Sequence, residues 1–341
     1  MSANNGRVPT AALLGCAGPV LSEEERRFFA ESDPFGFILF ARNIQTPDQV
    51  RALTAALRDT VGRDAPILID QEGGRVRRLR PPQWRDAPPM LPFGALYERD
   101  PDGAVRALRL NTALMAAELR GLGVDVDCAP VLDVPAVGAH DIIGDRAFSA
   151  DPAVVAALGR VVMDAFLEGG VYPVIKHIPG HGRALADSHF DLPVVDAPRA
   201  ELEARDFVPF RALADAPFAM TAHIVYTSLD ADRPATTSKA VIEGVIRRDL
   251  GFDGLLMTDD LSMKALSGRF EDRAIASLDA GCDLVLHCNG DMAEMAAVMA
   301  GCRPLDEAAQ GRWARVQTQR AASPPVAAAE AEAELARLLA G

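Results

Sequence analysis

Short apolar runs alternate along the chain with longer stretches in which apolar residues recur every three or four positions. The short runs have the length and composition of buried strands, and they cover residues 11–17, 35–41, 66–70, 124–134, 172–177, 218–226, 254–260 and 283–288. The longer stretches have the period of amphipathic helices, and they cover residues 22–32, 47–61, 103–121, 151–169, 199–214, 238–250 and 271–280. Strands that alternate with helices predict an α/β fold with a parallel sheet. Eight such strands, with a helix after nearly every one, predict a (β/α)8 TIM-type barrel with extra C-terminal helices.

The barrel is expected over about residues 10–302, and a helical tail follows over about residues 303–341. The tail includes an Ala/Glu-rich stretch, residues 325–340, behind Ser323-Pro324-Pro325. It is long enough to close the floor or the side of the barrel and too short for a second globular domain, so residues 1–341 are predicted to form a single domain. A doubly wound open sheet is the alternative, but no GxGxxG motif follows the first strand.

The net charge and the cysteines indicate which partners and which cellular compartment to expect. A formal net charge of −13 argues against nucleic acid or an anionic membrane surface as the main partner. Five scattered cysteines without a CxxC motif (Cys16, Cys128, Cys282, Cys288 and Cys302) predict buried free thiols in a reducing compartment, and hence a cytoplasmic location. The stretch Leu13-Leu14-Gly15-Cys16 has the look of a lipoprotein cleavage site, but cleavage there would remove the first predicted strand.

Polar residues stand at the ends of most predicted strands. They are Asp70 after the third strand, Asp133 after the fourth, Lys176 and His177 after the fifth, His223 after the sixth, and Asp259 and Asp260 after the seventh. Active sites in TIM barrels gather at the carboxyl ends of the strands. We therefore expect these residues to converge on one pocket.

The segment KHIPGHGRALADSHFD, residues 176–191, holds one lysine, three histidines and two aspartates. Lys176 and His177 are expected to point into the barrel mouth as donors suited to sugar hydroxyls, whereas His181, between two glycines, is expected to shape the loop. Asp187 and His189 lie two residues apart. A carboxylate that orients an imidazole makes a general acid/base near neutral pH.

Two further segments supply charged candidates. In DQEGGRVRRLR, residues 70–80, Asp70 is suited to accept hydrogen bonds from neighbouring sugar hydroxyls, and Arg78 either pins it or reaches the ligand. The other arginines of this segment are expected to form a solvated basic face. Arg146 either binds a ligand oxygen or forms an ion pair with Asp145 or Asp151.

The segment GLLMTDDLSM, residues 254–263, ends a strand in two adjacent aspartates. Successive strand residues face opposite ways, so only one of them is expected to look into the mouth. A carboxylate in that position can attack an electrophilic carbon. Asp260, ahead of Leu261-Ser262-Met263, has the character of a helix cap.

The motifs DQEGGRV, KHIPGHG, DSH and TDDLSM, in this order and with these spacings, resemble glycoside hydrolase family 3 over about residues 10–320. The closest resemblance is to its single-barrel bacterial β-N-acetylglucosaminidases of peptidoglycan recycling. It implies a retaining exo-enzyme that removes terminal β-linked N-acetylglucosamine (GlcNAc) from muropeptides of the GlcNAc-anhydroMurNAc type, through a covalent glycosyl-aspartate. It also implies a monomer with neither metal nor cofactor.

By that resemblance Asp259 is the nucleophile and His189 the general acid/base, with Asp187 as its partner. The positions that match sugar-binding residues are Asp70, Arg78, Arg146, Lys176 and His177, with His223 at the pocket edge in a less defined role. Retaining glycosidases usually pair two carboxylates about 5–5.5 Å apart. An imidazole acid avoids the repulsion that a second carboxylate would exert on Asp259, which is our hypothesis for its presence here.

Three other functions use the same residues. A phosphorylase would transfer the sugar from the same site to phosphate instead of water. A metal-dependent hydrolase would use His177, His181, His189, His223 and Asp259 as ligands. A sugar-binding protein without turnover would keep the barrel and lose the chemistry.

Overall fold

Eight parallel strands close into a barrel in the computed structural model, which describes residues 7–138, 140–185, 187–188, 191–319 and 326–340. The barrel strands are β1 (Thr10–Leu14), β2 (Pro34–Leu39), β3 (Ile67–Ile69), β4 (Val126–Asp127), β5 (Tyr172–Ile178), β7 (Phe218–Thr221), β9 (Leu255–Asp260) and β10 (Leu284–His287). Two short strands, β6 (Val194–Val195) and β8 (Val225–Tyr226), pair with each other outside it. The order around the barrel is β1-β10-β9-β7-β5-β4-β3-β2. The prediction of a (β/α)8 barrel is confirmed.

Helices surround the strands and follow the predicted stretches closely. They are α1 (Glu23–Ser32), α2 (Pro47–Val61), α3 (Leu91–Arg99), α4 (Pro101–Gly121), α5 (Pro152–Glu168), α6 (Arg199–Glu201), α7 (Phe207–Ala212), α8 (Phe270–Ala280), α9 (Met292–Ala300), α10 (Glu307–Gln317) and α11 (Ala328–Ala340). Residues Leu202–Asp206 and Ala240–Asp249 are π-helical. The short helix α3 was not predicted, because its nine residues contain a proline and a glycine that weaken the helical pattern.

Local capping explains where several helices begin. Ser22 and Glu25 form a reciprocal capping box at the start of α1. The Asp151 side chain accepts a hydrogen bond from the backbone N–H of Ala153, and Pro152 occupies the first position of α5.

Two predicted strands are shorter in the structure. The run 124–134 yields only β4 and an isolated bridge at Val131, because Pro130 has no N–H to donate to a neighbouring strand. The run 218–226 divides into β7 and β8, since the chain leaves the barrel wall after Thr221 to pair with β6.

The C-terminal helices close both the floor and the side of the barrel. Trp313 of α10 packs edge-on against Phe35 and Tyr172, with ring centroids 5.1 and 5.9 Å apart, and it also contacts Phe218 at 6.1 Å. These rings fill the end of the barrel opposite the carboxyl ends of the strands. Helix α11 packs on the outer face of α4. The predicted linker Ser323-Pro324-Pro325 lies outside the described residues.

All five cysteines are free thiols, three of them buried, whereas Cys288 and Cys302 are half-buried rather than buried as predicted. Leu13 and Leu14 are fully buried in β1, and Cys16 is buried just after it. Cleavage ahead of Cys16 would therefore remove a barrel strand. In the described part of the chain, none of the helices combines the length and apolar character needed to cross a membrane.

Candidate active site

A cavity of about 340 Å³ opens at the carboxyl ends of the barrel strands, a size that fits a small ligand such as a single sugar. The predicted site residues that border it are Asp70, Arg78, Arg146, Lys176, His177 and Asp259. The expected convergence of strand-end polar residues is therefore confirmed for Asp70, Lys176, His177, Asp259 and Asp260, whereas Asp133 is fully buried and does not border the cavity. Phe40, Ile142 and Met263 add apolar surface to the same cavity.

Asp70 lies between two cations. Its Oδ1 accepts a hydrogen bond from Lys176 Nζ at 2.9 Å, and its Oδ2 accepts one from Arg78 Nη2 at 2.8 Å. Burial raises the pKa of the Asp70 carboxyl, but the charges of Lys176 and Arg78 outweigh it and hold the pKa well below its usual range. Arg78 thus pins Asp70, one of its two predicted roles, and also borders the cavity.

Glu72 is a second buried carboxylate in the cavity wall, only 3% exposed. It accepts two hydrogen bonds from the Arg146 guanidinium, both 2.8 Å long, and pairs with Lys176 Nζ at 2.6 Å. Burial alone would raise the pKa of Glu72, but the charges of Arg146 and Lys176 have a larger effect and lower the pKa to about 2. Arg146 therefore forms an ion pair, as one of the two alternatives held, but its partner is Glu72 and not Asp145 or Asp151, because Nε and Nη2 donate to Glu72 and Nη1 donates to the carbonyl of Ile142.

His177 is held by a fully buried aspartate. Its Nδ1 lies 2.7 Å from Asp133 Oδ2, and Asp133 Oδ1 accepts hydrogen bonds from the backbone N–H groups of His177 at 3.1 Å and His181 at 2.6 Å. The register between β5 and β7 shifts between Lys176 and Ile178, which lets the consecutive side chains of Lys176 and His177 both face the cavity. Burial raises the pKa of Asp133, but His177 and the donated hydrogen bonds lower it to about 2.

The loop after β5 carries the predicted proton-transfer pair. His181 borders the cavity, 3% exposed, and its Nε2 lies 3.4 Å from Ser188 Oγ, so its position is more central than predicted. Burial lowers the pKa of His181 to about 4. The carbonyl of the half-buried Asp187 accepts a hydrogen bond from the N–H of Asp191. His189 lies outside the described residues, and the Asp187–His189 pair stays a prediction.

Asp259 ends β9 at the cavity, 9% exposed. Its Oδ1 accepts the backbone N–H of Asp260 at 2.8 Å. Burial raises the pKa of Asp259, but nearby His177, His223 and Lys176 lower it below the ordinary value, so the carboxylate is ionised at neutral pH.

Asp260 also borders the cavity, so the expectation that only one aspartate would face it is wrong. Its carboxylate accepts hydrogen bonds from Ser262 N–H at 3.0 Å and Cys288 N–H at 3.1 Å. It therefore stabilises a turn and the adjoining strand end. The predicted helix cap is also wrong, since the next helix, α8, begins only at Phe270.

His223 does not border the cavity in the described structure, which corrects its placement at the pocket edge. It is fully buried, with Nδ1 2.6 Å from Thr236 Oγ1 and Nε2 3.1 Å from the carbonyl of Asp260. The chain turns away from the barrel axis between β7 and β8, which takes His223 into the wall.

Arg75 is exposed, as predicted for the solvated basic face of residues 75–80, but its guanidinium also has protein partners. It borders the cavity and donates to the backbone carbonyls of Ile142 and Ile143, both at 3.0 Å. It thereby fixes the loop that carries Arg146. Arg80 is exposed as expected.

Two of the histidines that a metal-dependent hydrolase would use have protein partners on their ring nitrogens. His177 Nδ1 contacts Asp133, and both ring nitrogens of His223 have protein partners. Among the residues that the structure describes, no three His, Cys, Asp or Glu side chains form a group able to hold a metal ion.

Comparison with known proteins places this cavity in a family. The model of the glycosyl hydrolase family 3 N-terminal domain matches residues 14–318. The chain belongs to glycoside hydrolase family 3. The family resemblance predicted from the motifs is confirmed, and the match covers seven barrel strands and the last residue of β1.

Similar family 3 proteins cover nearly the whole chain. A beta-hexosaminidase of Xanthomonas campestris pv. campestris is 42% identical over 302 residues, which are 87% of this chain and 90% of that protein. A beta-hexosaminidase of Thiobacillus denitrificans is 39% identical over 96% of this chain and 91% of its own length. The crystal structure of NagZ from Neisseria gonorrhoeae in complex with N-trifluoroacetyl-D-glucosamine superposes with a TM-score of 0.86 at 32% identity, over 98% of both chains.

Glu72 is the charged cavity residue that sequence reasoning missed. It lies two positions after Asp70, and residues two apart in extended chain share a face. That spacing could have identified Glu72 as a site residue, but Gly73 and Gly74 directly after it favoured the interpretation of the segment as a tight turn. Asp133 was placed at a strand end without a role, because nothing in the sequence identifies His177 as its partner.

Proposed function

We propose that this chain is a retaining exo-β-N-acetylglucosaminidase that removes terminal β-linked GlcNAc from muropeptide fragments. At the level of enzyme class, the prediction of a β-N-acetylhexosaminidase acting on a carbohydrate is confirmed by relatives of that activity at 42% and 39% identity. The finer proposal rests on Asp259. Its ionised carboxylate lies at the end of a barrel strand and borders the same cavity as Lys176 and His177.

The proposed reaction has two steps. In the first, Asp259 attacks the anomeric carbon and forms a C–O bond, while the glycosidic C–O bond breaks and His189 gives its proton to the leaving oxygen. In the second, His189 takes a proton from water, and the water oxygen displaces Asp259 to release GlcNAc. Asp187 orients His189 in both steps. Asp70, Arg78, Arg146, Lys176 and His177 hold the sugar in place, and His223 supports Asp259 from within the wall.

A mechanism-based label tests the nucleophile. A 5-fluoro glycosyl inactivator of the GlcNAc series should attach to Asp259, as mass spectrometry of proteolytic peptides would show. Asp259→Asn should abolish turnover of an aryl β-N-acetylglucosaminide. Attachment to Asp260 would refute the assignment, and so would full turnover in the Asp259→Asn variant.

The imidazole acid/base has its own test. His189→Ala should lose most activity on substrates with poor leaving groups and less on activated aryl glycosides, because only the former need a proton in the first step. Full activity of His189→Glu would contradict the hypothesis that an imidazole serves here to avoid repulsion with Asp259.

Analysis of the reaction products tests which glycoside is cleaved and whether water or phosphate accepts the sugar. The Neisseria gonorrhoeae structure binds N-trifluoroacetyl-D-glucosamine, which supports a GlcNAc-sized subsite in this cavity of about 340 Å³. Release of GlcNAc from GlcNAc-anhydroMurNAc-peptide should exceed release from a chitin disaccharide. In phosphate buffer the product should be free GlcNAc, and GlcNAc-1-phosphate would instead indicate a phosphorylase.

We further infer a single-domain monomer that acts in the cytoplasm without metal or cofactor. The five cysteines are free thiols, as a reducing compartment would keep them. Light scattering should give a mass near 36.3 kDa. Activity should persist after chelation.

A further inference from the structure

The polarity of the cavity wall is unusual at His177. Three cations that border the cavity are already bound to carboxylates, namely Arg78, Arg146 and Lys176. Within the described part of the chain, His177 instead contacts a carboxylate through one ring nitrogen, Nδ1, which lies 2.7 Å from Asp133 Oδ2. Nδ1 lies against the fully buried Asp133 and His177 borders the cavity, which places the opposite edge of the ring, with Nε2, on the cavity side.

Asp133 is built to hold this arrangement. It is fully buried, and its Oδ1 is occupied by the backbone N–H groups of His177 and His181. Oδ2 is thereby left to His177 Nδ1, and an ionised carboxylate can only accept hydrogen bonds. The partner of one imidazole nitrogen decides which nitrogen carries the proton.

We propose that Asp133 is a positioning residue that fixes the proton of His177 on Nδ1, so that Nε2 accepts a hydrogen bond from a substrate hydroxyl. This reverses the donor role that sequence reasoning gave to His177. The sugar then meets this acceptor nitrogen together with the cationic donors of Arg78, Arg146 and Lys176 that border the same cavity. The same aspartate holds the start of the loop, residues 177–181, that leads to the proposed proton-transfer pair.

This inference rests on the proposed function, since it deepens the sugar subsite of the same cavity. Asp133→Asn is the matched perturbation. The amide oxygen can still accept the two backbone N–H groups, while the amide nitrogen faces Nδ1 as a donor and moves the ring proton to Nε2.

The direct measurement is the ¹⁵N NMR spectrum of histidine-labelled protein at pH 7.5, with the His177 signals assigned by their loss in His177→Asn. Wild-type protein should show Nδ1 protonated and Nε2 unprotonated, and Asp133→Asn should show the opposite. A protonated Nε2 in the wild type, in either a neutral or a cationic ring, would overturn the proposal. This measurement needs no folded variant of Asp133.

Binding provides a second readout. GlcNAc should bind Asp133→Asn up to about tenfold more weakly by calorimetry, which is the effect of losing one hydrogen bond between a sugar hydroxyl and a neutral imidazole. Among 3-, 4- and 6-deoxyfluoro GlcNAc, one analogue should bind wild-type protein about tenfold more weakly, because fluorine cannot donate to Nε2, and this penalty should vanish in Asp133→Asn. Equal penalties in both proteins would refute the acceptor role.

Asp283→Asn is the control for loss of a buried carboxylate. Asp283 is also buried and accepts the N–H of Leu256, but it lies at the opposite end of the barrel and pairs with Arg247 and Arg312. Its GlcNAc affinity should stay within twofold of wild type. Turnover of an aryl β-N-acetylglucosaminide by the wild type tests the proposed function separately from the role of Asp133. If the wild type does not hydrolyse this substrate, the proposed function is refuted, and the tautomer of His177 can still be measured.

Discussion

Replacement of Glu72 by glutamine tests whether the buried charges of the cavity stabilise the fold as well as the site. Glu72 is 3% exposed and binds Arg146 through two hydrogen bonds and Lys176 through a third contact. Gln keeps the shape of the side chain but removes its charge. Arg146 and Lys176 would then remain in the wall with one carboxylate, Asp70, between them and Arg78.

The structure gives the size of the effect. A pKa of about 2, where the ordinary value is 4.5, corresponds to about 3 kcal/mol of stability at neutral pH. Removing one partner of a buried ion pair typically costs about 3–5 kcal/mol, which agrees. We therefore expect Glu72→Gln to lower the free energy of unfolding by about 3 kcal/mol at pH 7.

The assay is urea unfolding followed by circular dichroism at several pH values. Because the pKa of Glu72 is lower in the folded protein, its contribution is complete above about pH 4.5 and is lost as the pH falls towards about 2. The difference between wild type and Glu72→Gln should therefore shrink on acidification. A difference below about 1 kcal/mol at pH 7, or one that stays constant down to pH 3.5, would refute the reasoning.

Glu168→Gln is a suitable control. Glu168 pairs with Arg109 at the surface, where both side chains are largely solvated. Exposed pairs contribute about 0–1 kcal/mol, so this variant should differ little from wild type at any pH.

Three further outcomes follow from particular residues. Burial raises the pKa of Asp127 well above its ordinary value, so the contribution of Asp127 to stability falls as the pH rises from about 4 through that pKa. Asp127→Asn should remove this fall and be more stable than wild type at pH 8 but not at pH 4, and equal stability of the two proteins at both pH values would contradict this. Trp313→Ala should lower the free energy of unfolding by about 3 kcal/mol and leave GlcNAc affinity unchanged, because Trp313 fills the floor opposite the cavity; weaker GlcNAc binding by calorimetry would contradict this. Asp187→Asn should slow hydrolysis of an unactivated β-N-acetylglucosaminide by about 100-fold and flatten the pH profile, whereas an unchanged profile would remove Asp187 from proton transfer.

Local patterns accounted for most of the architecture. The run 172–177 predicted β5 because every residue of that strand is buried on both faces, as strands covered by helices are. The run 218–226 is equally apolar but divides at Thr221, since pairing of β8 with β6 is a contact between distant segments. Hydrophobicity reports burial along a segment and does not report which neighbour covers it.

The sequence predicted which strand ends contribute residues to the site, but not which of those side chains reach the cavity. Barrel geometry required Asp70, Lys176 and Asp259 to meet, because parallel strands bring their carboxyl ends to one face. His223 also follows a strand, yet it is buried in the wall, since the chain turns after Thr221. The rule identifies the face, and the local path of the chain decides which side chains reach it.

The sequence did not predict the charge pairs between distant segments, and these pairs change how the site works. Arg146 and Glu72 are 74 residues apart, and His177 and Asp133 are 44 residues apart, so no local spacing links them. Once paired, each of these groups has a fixed direction before any sugar arrives. Fixed dipoles need no reorganisation during the reaction, which is the main electrostatic advantage of an enzyme site over water. The carboxylates that appear only to neutralise the wall therefore determine the pattern of donors and acceptors that the sugar meets, and this is why changes at Glu72 and Asp133 should alter recognition although neither is proposed to touch the bond that breaks.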